Sequence, residues 1–273
     1  MIPAKFDYVR AGSADEAVSL LQEHGDEAKL LAGGHSLLPL MKLRLSTPSV
    51  IVDVGRVREL SYVRDAGDHI AVGALTRHRD LETNETLQRE VPILARVASL
   101  VGDPQVRHRG TIGGSIAHGD PASDLPAVVL ALGATLVAQG PQGTREIAAT
   151  ECFRGFLDTT LAADEMLTEV RLPKVAGAGW SYQKFNRRAQ DWAIVGVAAV
   201  RNGVTRVALV NMASMPLRAT AVELALREGA SAADAAEHAA EGTEAPADLN
   251  GGTEYREHLA RVLVRRALEE AGA

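Results

Sequence analysis

Two glycine pairs constrain this chain more than any other feature: Ala32-Gly33-Gly34-His35-Ser36 and Thr111-Ile112-Gly113-Gly114-Ser115. Each follows an apolar run and precedes a polar or helical start. Glycine permits φ > 0 and lets backbone N–H groups approach an anion with no Cβ in the way. A helix starting just after the turn adds partial positive charge. The hydroxyls of Ser36, Thr111 and Ser115 are further donors. Two readings stay open, an anion cradle or a pair of tight turns with closely packed backbone. With a formal charge of −6, the chain would hold an anion by such local dipoles and not by its net field.

Known phosphate-loop patterns narrow the cradle reading. Asp53 lies 20 residues after Gly33, at the end of a predicted strand, where the ribose-binding acid of a nicotinamide-type Rossmann fold would sit. The glycines do not fit that fold. Gly33 and Gly34 are adjacent, and Leu37 and Leu38 stand where the third glycine should open the helix. A P-loop fails as well, since no Gly-Lys-Ser/Thr follows either pair.

Composition removes other classes. The acidic balance argues against nucleic acid or an anionic membrane as the main partner. No apolar run approaches the roughly 18–20 residues that span a bilayer, and MIPAKFDYVRAGSADEAV lacks the apolar stretch of a signal peptide. Cys152 is the single cysteine, so the chain forms no internal disulfide and no four-thiolate iron–sulfur site. The cytoplasm is the expected compartment. His118 and Asp120 lack a third ligand at metal-binding spacing.

Periodicity outlines the elements. Ser13-Ala14-Asp15-Glu16 reads as a capping box opening a helix that Gly25 ends. Lys29–Ala32 and residues 49–54 read as strands, with a helix over Leu37–Leu43 whose first turn tolerates Pro39. HIAVGALTRHRDLE predicts a strand and a helix start near Thr76, VPILARVASLVG a helix, PAVVLALGATLVA a helix and then a strand, and DEMLTEVRLP a strand stopping at Pro173. REIAATECFRG is a mixed connector. Arg201-Asn202-Gly203 between AIVGVAAV and VTRVALV is a strong hairpin signal. Helices follow at about 217–228, in the alanine-rich 230–240 stretch and at 254–271, the last with Tyr255, Leu259, Val262 and Leu263 on one face. The pattern predicts an α/β half to about residue 176 and an α+β half after it.

Three separated motifs then carry a resemblance spanning nearly the whole chain: KLLAGGHSLLPLMKLRL, QVRHRGTIGGSIAHGDPASDLPAV and DLNGGTEYREHLARVLVRRAL. Together they resemble the FAD-binding medium subunit of the molybdenum hydroxylases, the family of carbon monoxide, aldehyde and xanthine dehydrogenase complexes. The resemblance implies an α+β chain. A vanillyl-alcohol-oxidase-like FAD-binding domain would be built from residues 1–55 and 56–176, and a small C-terminal domain would cover 177–273. It implies noncovalent FAD, with both glycine turns at the pyrophosphate. That places Lys29, Leu30, Leu31, Ala32, Gly33, Gly34, His35 and Ser36, and Thr111, Ile112, Gly113, Gly114 and Ser115, at the cofactor. Family members often carry Asn or Asp where this chain has Ser115. Asp124 matches a residue beside the flavin nucleotide, its alternative being a turn-forming Asp after Pro121. Leu167 and Lys184 match peripheral contacts. Trp192 stands where relatives carry an aromatic near the isoalloxazine, the alternative being a core Trp at a strand start. Arg187 and Arg188 face a partner or solvent. His35 shapes its loop without bonding the flavin.

The function that the resemblance implies is electron transfer. A large molybdenum-pterin subunit oxidises substrate, a small iron–sulfur subunit relays electrons, and the FAD of this chain passes them to NAD, a quinone or oxygen, in a dimer of heterotrimers. Two alternatives remain open: a stand-alone flavin oxidoreductase of the same fold, and an FAD-free scaffold homologue.

Overall fold

The computed structural model describes residues 2–273. The chain opens with a small parallel sheet, β1 (Asp7–Arg10), β2 (Ala28–Leu31) and β3 (Val50–Asp53), in spatial order β1-β3-β2. Parallel strands need a crossover, and the helix Ala14–His24 provides the first one. It starts as the sequence predicts: Ser13 Oγ accepts from the Glu16 amide at 3.1 Å, and Glu16 Oε2 accepts from the Gly12 amide at 2.7 Å. Gly25, at φ 53°, ends it. Ala14, Ala17, Val18 and Leu21 bury its inner face. Strand β1 carries no sequence signal, because DYVR is mostly exposed and is held in the sheet by pairing with β3, some 40 residues on.

A second sheet follows from β4 (Val63–Asp65), β5 (His69–Gly73), β6 (Thr135–Gly140), β7 (Gly143–Ala148) and, after the hairpin β8 (Phe153–Gly155) and β9 (Asp158–Thr159), β10 (Met166–Pro173). It is antiparallel in the order β4-β5-β10-β6-β7. REIAATECFRG is thus mixed as the sequence predicts, the end of β7 followed by a helical turn and β8. The connection from β5 to β6 holds the helices His78–Thr83, Glu85–Glu90, Pro92–Ala98, Pro104–Arg107, Ile112–His118 and Asp124–Leu132.

A third sheet contains β11 (Gly179–Phe185), β12 (Val195–Asn202), β13 (Val204–Val210) and β14 (Leu217–Arg218). The β12–β13 hairpin turns at Asn202-Gly203, with Gly203 at φ 74°. Both faces of this sheet are covered, which explains why AIVGVAAV reads as an unbroken apolar run. Side chains alternate across a strand: Ala198, Val200, Ala208 and Val210 join the core shared with the first 175 residues, while Val195, Val197, Ala199, Val207 and Leu209 face the core under the long helix Thr253–Glu270. The helix Asp124–Leu132 is buried at every position and packs between the helix Pro92–Ala98 and strands β12 and β13. Gly133, in the left-handed region at φ 66°, ends it.

The long helix corrects one expectation. Tyr255 is 45% exposed, and the buried stripe runs through Arg256, Leu259, Ala260, Leu263, Val264, Ala267 and Leu268. Arg256 is fully buried because its guanidinium donates to the Ile194 carbonyl and pairs with Asp248 at 2.8 Å, tying the helix start to the base of β12.

Candidate functional site

The first glycine segment begins where β2 runs out of partner. Val54 N donates to Leu31 O at 3.0 Å, and the β2–β3 ladder ends there. Beyond it, none of the five amides of Ala32–Ser36 donates to a carbonyl or side chain among the described residues. Gly34 sits at φ 78°, a left-handed value that aims successive amides to one side. Asp53, the rival ribose acid, is bound locally instead: it accepts from the Tyr8 hydroxyl and from Gly55 N at 2.8 Å.

The second segment corrects the idea of two equivalent bare turns. Gly113 and Gly114 lie in the first turn of the helix Ile112–His118, not in a tight turn. Ile112 N donates to Thr76 O at 3.0 Å, Gly113 N to Ala74 O at 2.8 Å, Gly114 N to the Thr111 hydroxyl at 3.2 Å and Ser115 N to Thr111 O at 3.0 Å. Gly113 serves close packing. A Cβ on Gly113 would stand 2.5 Å from the Ala74 Cβ. Thr76 is itself fixed, its hydroxyl bridging the Tyr62 amide and carbonyl at 3.0 and 2.9 Å. What this segment offers outward is hydroxyls, those of Thr111 and Ser115, along with the bare Cα of the exposed Gly114.

The two segments meet. A Cβ on Gly33 would stand 2.3 Å from the Arg109 carbonyl oxygen and 2.8 Å from Gly110 Cα, so the backbones touch with no room for a side chain. Their junction forms the floor of a cleft of about 750 Å³, within the range typical of cofactor sites. Its lining takes in Lys29, Leu30, Leu31, Ala32, Gly33, Gly34, His35, Ser36, Thr111, Gly113, Gly114, Ser115, Asp124, Leu167, Lys184 and Trp192. Ile112 is the exception among the residues singled out from the sequence, since its side chain lies in the core.

Asp124 does not make the turn after Pro121. Asp120 does, accepting from Ala122 N at 2.9 Å. Asp124 is buried and paired with Lys184 at 2.8 Å, and it also accepts from the Tyr182 hydroxyl. Lys184 donates further to Leu100 O at 3.2 Å. Burial pushes the Asp124 carboxyl upward, against the pull of the Lys184 ammonium and of the two hydrogen bonds. The pair fixes β11 to the start of the helix Asp124–Leu132. Trp192 is 58% exposed on the loop between β11 and β12, which the Arg188–Asp191 ion pair (3.0 Å) closes on itself, so it is not a core Trp.

Two cleft residues carry no sequence signal of their own. His78, 2% exposed, lies beneath the second segment. Leu157 sits at φ 55° on the β8–β9 tip, a conformation costly for a branched side chain and unmarked by any Asn-Gly. Only the folded register brings them in.

Residues 4–175 match the family described as FAD binding domain in molybdopterin dehydrogenase, and residues 180–271 match the CO dehydrogenase flavoprotein C-terminal domain. The chain is 42% identical to the carbon monoxide dehydrogenase medium chain of Hydrogenophaga pseudoflava, over 100% of this chain and 99% of that one. It is 38% identical to the 6-hydroxypseudooxynicotine dehydrogenase complex subunit alpha of Paenarthrobacter nicotinovorans, over 99% and 96% of the two chains. The solved structure of the Hydrogenophaga pseudoflava carbon monoxide dehydrogenase lacking the Mo-pyranopterin moiety superposes with a TM-score of 0.96 at 43% identity, covering 100% of this chain and 99% of that one. This chain belongs to the FAD-binding medium-chain family of the molybdenum hydroxylase-type dehydrogenases.

Proposed function

We propose that this chain takes electrons from iron–sulfur clusters on a small partner subunit, downstream of a large molybdenum-pterin subunit, and delivers them to an external acceptor: NAD, a quinone or oxygen. The observation that carries this reading is the meeting of the unpartnered Ala32–Ser36 amides with the Thr111–Ser115 segment on the floor of one cleft. In an acidic chain, that row of amides is the available way to hold a diphosphate. Bound FAD supplies the redox centre, and the protein supplies binding, orientation and electrostatics.

The residues divide that work. Ala32–Ser36 hold the diphosphate through their amides, with Lys29 at the exposed rim. Thr111 and Ser115 add hydroxyl donors, and Ile112 acts through the core packing beneath them. Asp124, Lys184 and Leu167 form a fixed wall, and Trp192 controls access from solvent. Cys152 is the single cysteine and is buried, so the chain cannot supply the thiolates of a four-cysteine cluster. The iron–sulfur relay therefore belongs to another chain. The two relatives act on different substrates by name, which supports assigning substrate choice to the large subunit. Among the described residues no helix is long and apolar enough to cross a membrane; we place the complex, a dimer of heterotrimers, in the cytoplasm.

The test is direct. The full chain, purified and mixed with FAD, is expected to retain oxidised-flavin absorbance after desalting, and to copurify from its host with a molybdenum-containing and an iron–sulfur subunit. A chain that cannot be loaded with FAD is not a flavoprotein, and turnover of a substrate with oxygen by the isolated chain would favour a stand-alone oxidoreductase.

A further inference from the structure

His78 is a buried imidazole lining the cleft, and its chemistry is incomplete within the chain. It opens the helix His78–Thr83, and its amide donates to Gly110 O at 3.0 Å. Gly110 makes room for the ring: a Cβ there would stand 2.7 Å from both Cδ2 and Nε2. On the cleft side Nε2 lies 3.4 Å from the Ser115 hydroxyl, and Nδ1 has no partner among the described residues. Burial, then the nearby His35 and Arg107, lower the imidazole's pKa to about 4, so it is neutral near pH 7.

A neutral imidazole has one N–H and one lone pair, and the two tautomers treat Ser115 in opposite ways. With the proton on Nδ1, Ser115 donates to Nε2 and turns only lone pairs toward the cleft, which an anionic ligand repels. Nδ1 is unpartnered in either tautomer, so what faces the cleft distinguishes the two. With the proton on Nε2, the imidazole donates to Ser115 Oγ and the serine O–H is free to donate outward. Resting on the flavoprotein reading above, we propose that His78 is a positioning residue for the cofactor: its Nε2–H holds the Ser115 hydroxyl so that the serine proton points at an acceptor oxygen of the bound dinucleotide. His78 touches no ligand itself.

The experiment is a double-mutant cycle on the full chain, read as FAD affinity by quenching of flavin fluorescence. Ser115→Ala and His78→Leu are each expected to weaken FAD binding about tenfold, the scale of one hydrogen bond to a charged group. The double variant should be no weaker than either single one. His78→Gln, which keeps an N–H near the Nε2 position, should stay within about threefold of the native chain. Nitrogen-15 spectra of the histidine ring should show the Nε2–H tautomer in the FAD-loaded chain, a signature that a merely structural histidine need not give. Losses that multiply to about a hundredfold, an Nδ1–H tautomer with FAD bound, or native affinity in Ser115→Ala would each overturn the proposal. If His78→Leu fails to fold, Ser115→Ala and the tautomer still decide. A native chain that takes up no FAD refutes the flavoprotein reading itself, whereas a native chain that binds FAD with Ser115→Ala unchanged refutes only the role of His78.

Discussion

In the segment Ala32–Ser36 five consecutive amides reach the cleft without a partner among the described residues, whereas the amides of Ile112–Ser115 donate inward to Thr76, Ala74 and Thr111. Both contain Gly-Gly, both stand at the start of a helix and both line the same cleft. The difference comes from what lies behind each. The first segment leaves the end of a short strand whose partner has already turned away at Val54, so nothing competes for its donors. The second is laid across the loop after β5, where Ala74 and Thr76 present carbonyls at hydrogen-bonding distance. Glycine thus serves exposure of donors in one place and proximity of backbones in the other. At Gly33 it serves both, because its missing Cβ is what lets the two segments touch.

Breaking that junction should have the largest effect. Gly33→Val puts a branched side chain where even a Cβ would be 2.3 Å from the Arg109 carbonyl, a backbone neighbour that cannot rotate away. We expect FAD binding to vanish and stability to fall by about 3 kcal/mol or more, through overpacking. FAD titration together with chemical denaturation reads both effects. A stable variant with ordinary affinity would mean that the segments can separate without consequence.

Gly114→Val separates the two roles. A Cβ at Gly114 meets only the Thr111 hydroxyl, at 2.8 Å, and the rest of the side chain enters the cleft. The fold should lose about 1 kcal/mol, the scale of a weakened helix cap. FAD affinity should fall at least a thousandfold, about 4 kcal/mol. Titration giving unchanged affinity would show that the second segment does not face the cofactor.

This contrast was only half legible in the amino-acid sequence. Ser13 with Glu16, Gly25 and Asn202-Gly203 announce their elements because caps and turns are satisfied within a few residues. Much of the cleft's lining is legible too, through the family resemblance. Donor status was not. Whether Gly113 N is free depends on Ala74, some 40 residues away and brought near only by the β5–β10 register. Strand β1 is hidden for the same reason, being a mostly exposed segment defined by a partner some 40 residues away. Arg256 escaped because a charged residue on a long helix is ordinarily solvated, and only the folded β12 supplies the Ile194 carbonyl that buries it. His78 had no signal at all beyond its letter.

Acid should act on the two regions unequally, and His78 gives the sign. Its folded-state value, about 4, lies below the ordinary 6.5, so the unfolded chain binds the proton first as pH falls. Stability from this group is therefore complete above about pH 6.5 and drops as the pH moves toward 4, by up to about 3 kcal/mol for a gap of this size. His78→Gln should flatten that part of the acid limb relative to the native chain, as measured by urea midpoints at successive pH values. The loss should also be local at first. Ile112 and Gly113 are tied to the loop that His78 underlies, while in the first segment His35 is exposed and its loop is anchored by the β2–β3 ladder. Amide exchange, corrected for its intrinsic pH dependence, should thus accelerate at Ile112 and Gly113 before it does at Leu30 and Val52. Equal acceleration at both would make the two glycine segments one cooperative unit, and the division of labour between them would then lie in hydrogen bonding alone and not in stability.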